Sequence, residues 1–147
     1  MKGYLNAPEK TAEVIVEIDG VRYYKTGDKG HIDHNGFITI VDRYSRFAKV
    51  GGEMISLGSV EEKLAQVFDE ENQFVAVAVS DDKKGESIVL LIKSALSLDE
   101  INERIKGLNV PPIMLPSQVF SVDEIPMLGS GKVDFKGAKN LAMSLVK

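Results

Sequence analysis

The sequence predicts an α+β fold, on three observations. Short alternating apolar runs are punctuated by Asp19-Gly20, Asn35-Gly36 and Gly51-Gly52. Two longer runs, Phe74 to Val79 and Ile88 to Ile92, are apolar on successive positions. Three segments carry helical periodicity behind Ser or Asp caps. Asp-Gly between two alternating runs suits a tight hairpin because both central residues of a type I′ turn need positive φ.

The first hairpin joins Glu13-Val14-Ile15-Val16-Glu17-Ile18 to Val21-Arg22-Tyr23-Tyr24, and the second joins His31-Ile32-Asp33 to Phe37-Ile38-Thr39-Ile40-Val41. Two such hairpins cannot enclose a core, so this part is expected to lean on further protein. Arg46-Phe47-Ala48-Lys49-Val50 and Glu53-Met54-Ile55 form a third hairpin. Ser59 and Glu62 read as a capping box opening a helix whose inner face is Val60, Leu64, Val67 and Phe68. Phe74–Val79 and Ile88–Ile92 read as central strands covered on both sides. Ser97 and Glu100 repeat the capping box, with Leu98, Ile101 and Ile105 inward and Gly107 as the stop. Pro111, Pro112 and Pro116 keep the next stretch extended. A short strand at Gln118–Val122 and a last helix from about Asp134, with Leu141, Ala142 and Leu145 inward, complete an antiparallel sheet with about three helices.

With 147 residues, 44% hydrophobic and 27% charged, the chain has a globular composition. Its 18 basic and 22 acidic residues give a net charge of −4, against nucleic-acid binding. The absence of cysteine excludes a disulfide framework, a thiolate zinc site and a cysteine nucleophile. No apolar run approaches the roughly 20 residues of a membrane helix, so a cytoplasmic chain is expected.

Few residues suggest chemistry alone. Gly129-Ser130-Gly131-Lys132 evokes a phosphate-binding loop, but that motif needs Gly where Pro126 stands and Ser or Thr where Val133 stands. What survives is a lysine on a glycine-rich loop, able to place a point charge in an anionic site or simply to be solvated. His31 and His34, beside Asp33, do not converge on a strand and turn, so no metal site is expected. Tyr24-Lys25-Thr26-Gly27-Asp28 ends a strand with a carboxylate that could accept from a vicinal diol such as a ribose; it is also a good turn sequence. Arg43, Arg46 and Lys49 could dock an acidic partner, although alternation puts Arg46 on the opposite strand face from the other two.

Together the pieces are more specific. Gly3-Tyr4-Leu5-Asn6, Tyr24 to Asp28, Gly36-Phe37, Asp42-Arg43, Lys49 to Ile55, Val60-Glu61-Glu62 and Pro126 to Lys132, in this order, resemble the C-terminal end of the AMP-forming adenylating enzymes. These are the acyl-CoA synthetases, peptide-synthetase adenylation domains and luciferases. Arg46 to Lys49 with Gly52-Glu53-Met54, and Leu128 to Lys132 with Asp134-Phe135, most resemble the bifunctional acyl–acyl carrier protein synthetase/2-acylglycerophosphoethanolamine acyltransferases.

The resemblance implies that residues 1–41 are the tail of a large N-terminal adenylation domain, that residues 42–147 are a mobile C-terminal domain, and that the chain is a fragment inactive alone. It implies a two-step ligase using ATP with Mg, the metal ligands lying outside this chain, and a phosphopantetheine thiol acceptor. Asp28 and Arg43 would bind the nucleotide. Asp42 and Ser45 would form the hinge, and Lys132 would be catalytic. Gly51, Gly52 and Glu53 would line the pantetheine tunnel, although the two glycines also fit a plain tight turn. Acyl carrier protein or CoA, a fatty acid and the missing N-terminal domain would be the partners. The parent would work at the cytoplasmic face of the inner membrane. Ser45 departs from the Asp or Lys usual at the pivot, which implies a looser or differently biased hinge.

Overall fold

The structure is a computed structural model that describes residues 1–146. The chain divides into two compact units, Met1–Ser45 and Arg46–Lys147.

The first unit opens with helix α1 (Pro8–Val14), whose last two residues, Glu13 and Val14, the sequence pattern places in a strand. Pro8 in the first turn and Glu9 beside the helix N-terminus favour it. Strands β1 (Ile15–Ile18) and β2 (Val21–Tyr24) pair antiparallel, with Asp19 at φ 51° and Gly20 at φ 75° as a type I′ turn demands. Strands β3 (Asp28–Ile32) and β4 (Ile38–Arg43) form the second hairpin, irregular between Lys29 and Gly30. A Cβ on Gly30 would sit 2.6 Å from the Thr39 carbonyl oxygen, so only glycine fits there. The Asp33 carboxylate closes the hairpin by accepting from the backbone N–H groups of Asn35 and Phe37 at 2.8 and 2.9 Å. No residue of this unit is buried: Ile32, Phe37 and Ile38 are 68%, 71% and 69% exposed.

The second unit is built on a five-stranded sheet. Strands β5 (Phe47–Val50) and β6 (Glu53–Ser56) form a hairpin, and β7 (Gln73–Asp81) and β8 (Gly85–Lys93) pair antiparallel along their full lengths. Strand β9 (Gln118–Ser121) joins β8 in parallel, an addition to the expected antiparallel sheet. Its direction follows from the helix and proline-rich stretch between β8 and β9, which carry the chain back to the starting end as a parallel pairing requires. Strand β5 meets β8 at Val50–Gly85, on the edge that β9 occupies further along.

Helices cover both faces. Side chains alternate along β7 and β8, so Ala76, Ala78, Ile88, Leu90 and Ile92 pack with Val60, Leu64, Ile101 and Ile105. Val75, Val77, Val79, Val89 and Leu91 face the other way, onto Ile125, Ala138 and Ala142. Both runs are covered on each face as expected, but only β8 is central: among the described residues β7 pairs with β8 alone and lies at the edge of the sheet.

One cap is corrected. Helix α2 (Leu57–Leu64) is capped by Ser56, whose hydroxyl accepts from the Ser59 N–H at 3.1 Å; Ser59 is not the cap. Strand β6 runs straight into the helix, which starts a turn earlier than the Ser59–Glu62 pattern implies. Helix α3 (Leu98–Lys106) does carry the expected box. Ser97 Oγ accepts from Glu100 N–H at 3.3 Å and Glu100 Oε2 accepts from Ser97 N–H at 2.9 Å. Gly107 follows it at φ −72°, a right-handed cap that does not use glycine's left-handed freedom. Helix α4 (Phe135–Leu145) is capped by Asp134, which accepts from the N–H groups of Lys136 and Gly137.

Ser97→Ala is expected to destabilise the protein by about 1 kcal/mol at neutral pH, read from urea unfolding. The Ser97 hydroxyl and then the Ser97 N–H hold the Glu100 carboxyl below its ordinary value. A depressed carboxylate stabilises above its unfolded pKa and loses this as pH falls through the folded one. The gap between Ser97→Ala and wild type should therefore narrow in acid.

Candidate active site

The first unit brings Asp28 and Arg43 together. They are register partners at the open end of the β3–β4 hairpin, and Arg43 Nε lies 3.2 Å from Asp28 Oδ1. Arg43 Nη2 also donates to the Thr26 carbonyl at 3.1 Å, and the Asp28 N–H donates to Thr26 Oγ1 at 3.1 Å. Gly27, at φ +79°, turns the chain so that its carbonyl accepts from Tyr44 N–H at 2.8 Å. The result is a half-buried carboxylate beside an exposed guanidinium on one hydrogen-bonded turn. Such a pair adds little stability, roughly 0–1 kcal/mol, but offers acceptors for a diol and donors for an anion.

Tyr24 flanks this turn, its hydroxyl 3.2 Å from that of Tyr4. The Tyr24 phenol is pushed above its ordinary value, first by the hydrogen bond with Tyr4 and by the charge on Tyr4; Asp28 adds to this and Arg43 opposes it. Sequence patterns assign nothing to the Tyr4–Tyr24 pair, because twenty residues separate its members. Asp42 lies within β4 opposite Lys29, and its carboxylate accepts from Arg43 N–H at 2.7 Å. Ser45 is exposed in the 3₁₀ turn Tyr44–Arg46 that follows.

That 3₁₀ turn corrects the alternation expected for the basic residues. Arg43, Arg46 and Lys49 do not share a strand, and Arg46 is committed elsewhere: its Nη2 lies 2.7 Å from Glu61 Oε1, with the side chain 12% exposed.

In the second unit Lys132 belongs to a closed loop. Met127 and Val133 bridge antiparallel, Leu128 N–H donates to the Lys132 carbonyl at 2.7 Å, and Gly131 N–H donates to the Leu128 carbonyl at 2.9 Å. Gly131 takes φ +78°, which a glycine adopts without strain. Asp134 N–H, donating to the Pro126 carbonyl at 2.9 Å, joins the loop to α4. The Lys132 side chain is exposed and makes no hydrogen bond or ion pair among the described residues. A charged ammonium thus stands at the tip of a backbone-braced loop.

The Gly51-Gly52 turn lies on a different loop of the same unit. Both glycines have positive φ, 58° and 92°, and a Cβ on either would meet nothing within 4 Å. The turn's conformation, not crowding, therefore requires them. The Gly51 N–H donates to the Lys84 carbonyl at 2.9 Å and Glu53 is exposed. A cavity of about 310 Å³ opens beside Gly51, walled by Val50, Ile88, Ile113 and Leu115.

Asp28 and Arg43 belong to the first unit, and Lys132 and Gly51–Glu53 to the second. Among the described residues no three His, Asp or Glu groups gather closely enough to hold a metal ion, and no helix is long and apolar enough to cross a membrane.

No protein-family model matches the chain. It is 34% identical over 137 residues, 90% of its length, to phenyloxazoline synthase MbtB of Mycobacterium sp. (strain MCS). It is 33% identical over 139 residues, 92% of its length, to tyrocidine synthase 2 of Brevibacillus parabrevis. The chain spans only 12% and 4% of those relatives. Among solved structures, ATP-bound MatB from Rhodopseudomonas palustris superposes with a TM-score of 0.77 at 22% identity, covering 99% of this chain and 29% of MatB. A Mycobacterium tuberculosis fatty acyl CoA synthetase superposes at 0.67 with 25% identity, covering 99% of this chain and 28% of that one. The fold is therefore shared with a segment of proteins three or more times as long.

Proposed function

This chain being the C-terminal part of a protein of the AMP-forming adenylation and acyl-CoA synthetase superfamily, we propose that it serves a parent ligase that activates a carboxylic acid with ATP and passes the acyl group to a phosphopantetheine thiol. In the first step a fatty acid carboxylate oxygen attacks the α-phosphorus, and pyrophosphate leaves with the electrons of the broken P–O bond. In the second the thiol sulfur attacks the acyl carbon and AMP leaves. Residues 1–41 are the end of the N-terminal domain, and 42–147 are the domain that pivots at Asp42 and Ser45.

The observation that carries this reading is Lys132, an unpaired ammonium held at the tip of a hydrogen-bonded loop. Placed at the α-phosphate, it neutralises charge that grows on the phosphate oxygens in the transition state. Asp28 accepts from the ribose hydroxyls, and Arg43, fixed by Thr26 and Asp28, contacts ribose or phosphate. The Mg ligands lie outside the chain. After domain rotation the Gly51-Gly52-Glu53 turn lines the thiol's path, and the absence of side chains at Gly51 and Gly52 leaves the backbone open to the pantetheine arm. The absence of any buried residue in residues 1–41 supports their assignment to a larger domain.

The narrower parent is an acyl–acyl carrier protein synthetase/2-acylglycerophosphoethanolamine acyltransferase acting in phospholipid reacylation, with acyl carrier protein as the thiol donor. The sequence relatives above are synthases of another kind. Support for this parent comes from the resemblance of the segments Arg46 to Lys49 and Leu128 to Phe135.

Asp28→Asn in the full-length parent tests the nucleotide role. The amide donates where the carboxylate accepts, so KM for ATP should rise by about tenfold or more, since hydrogen bonds to charged groups are worth ~1.5–3 kcal/mol. Steady-state kinetics with varied ATP measure it, and an unchanged KM would remove Asp28 from the site.

A further inference from the structure

The geometry points to Arg46 as a positioning residue that braces the Lys132 loop through the ring of Phe135. The contact itself is independent of function; its value to catalysis rests on the reading of Lys132 above. Arg46 is the first residue of the second unit and follows the proposed hinge residue Ser45 directly. Its guanidinium carbon stands 4.1 Å from the centre of the Phe135 ring, within range of a cation–π contact.

Three features make this more than a surface encounter. The side chain is nearly enclosed, at 12% exposure. Its Nη2 is 2.7 Å from Glu61 Oε1 but poorly aligned as a hydrogen bond, and its Nε has no hydrogen-bond partner among the described residues. The ring face and the Glu61 charge are thus what hold the cation. Glu61 is fixed in turn, because the same Oε1 accepts from the Ala76 N–H of β7 at 2.9 Å. Arg46 is therefore anchored to α2 and, through Glu61, to the edge strand β7.

Phe135 is the first residue of α4 and stands three positions after Lys132. Between them, Asp134 binds the Pro126 carbonyl through its N–H and caps α4 through its carboxylate. A Cβ on Gly137 would sit 2.7 Å from that carboxylate, so the first turn of α4 closes tightly on its cap. Holding the ring holds this turn, and the turn carries one stem of the Lys132 loop. The brace connects the entry to the domain with the loop that bears its proposed reactive charge.

Amide hydrogen exchange on the full 147-residue chain tests the brace. The N–H groups of Leu128, Gly131 and Asp134 report, since each donates within or beside the loop. Phe135→Leu, which keeps bulk and loses the ring, should speed their exchange about fivefold, and Phe135→Trp should restore it. Arg46→Gln should match Phe135→Leu, and the double variant should be no faster than the faster single one. Exchange at Leu90 and Leu91 should stay fixed, separating the brace from general loosening. Unchanged loop exchange in Phe135→Leu, or multiplying effects in the double variant, would overturn the proposal. In the full-length parent, Phe135→Leu should lower kcat for adenylation and leave KM for ATP unchanged. Faster loop exchange with normal adenylation would support the brace and overturn the role given to Lys132.

Discussion

Lys132→Ala in the full-length parent is expected to slow formation of the acyl-adenylate by about 100- to 1,000-fold, the loss typical of removing one preorganised electrostatic group. Thiol transfer from preformed acyl-adenylate should fall far less. The asymmetry follows from chemistry: charge accumulates on the α-phosphate oxygens when the carboxylate attacks, whereas the second step expels AMP as an already stable anion. The substitution should leave the fold intact, because the loop is closed by backbone groups, the Lys132 carbonyl among them, and not by the ammonium. Pyrophosphate exchange reports the first half-reaction, and release of AMP from supplied acyl-adenylate and carrier reports the second. Equal losses in both would sink the assignment. Lys132→Arg should recover only part of the activity, since the planar guanidinium cannot replace a compact point charge in a shaped site.

Leu90→Ala should have the largest effect on folding, a loss of about 2–5 kcal/mol. Leu90 is fully buried on β8, flanked across the strands by Ala76 and Val119. Ala76 is too small to fill the vacated space, and its backbone is held by pairing with β8 and by the Glu61 carboxylate that accepts from its N–H. Most small domains have only about 5–15 kcal/mol of stability, so the variant should unfold at markedly lower urea. Far-UV circular dichroism is the appropriate probe: the chain has no tryptophan and all four tyrosines fall within the first unit. A loss below about 1 kcal/mol would show that the helices on this face collapse into the cavity.

Local patterns made the second unit's scaffold readable. The apolar runs on β7 and β8 bury both their faces, and the Ser97–Glu100 box forms as its spacing implies. The hairpins at Asp19-Gly20, Asn35-Gly36 and Gly51-Gly52 were legible because a turn with positive φ admits few residue types. Elsewhere neighbouring elements decided the outcome. Ser56 and Ser59 are equally good caps in isolation, and only the direct entry from β6 selects Ser56. Helix α1 was hidden because Ala7 offers no side-chain cap. The site was legible only in pieces. Asp28 and Lys132 stand in recognisable segments, but the pairing of Asp28 with Arg43 depends on strand register. Arg46 meeting Phe135, 89 positions later in the sequence, depends on the whole domain being folded.

The two hairpins of the first unit are two-stranded sheets, so each of β1 to β4 has one side paired and one side open. Backbone donors and acceptors along those sides can template another extended chain, and Ile32, Ile38 and Ile40 supply a greasy flank. Charges guard the ends of β3 and β4, at Asp28, Lys29, Asp42 and Arg43, but the middle of the hairpin is unguarded. Taken as it stands, the chain should therefore become turbid in a concentration-dependent way, with the seed in residues 28–43. A lysine at Ile38 would act as a gatekeeper there and keep the solution clear.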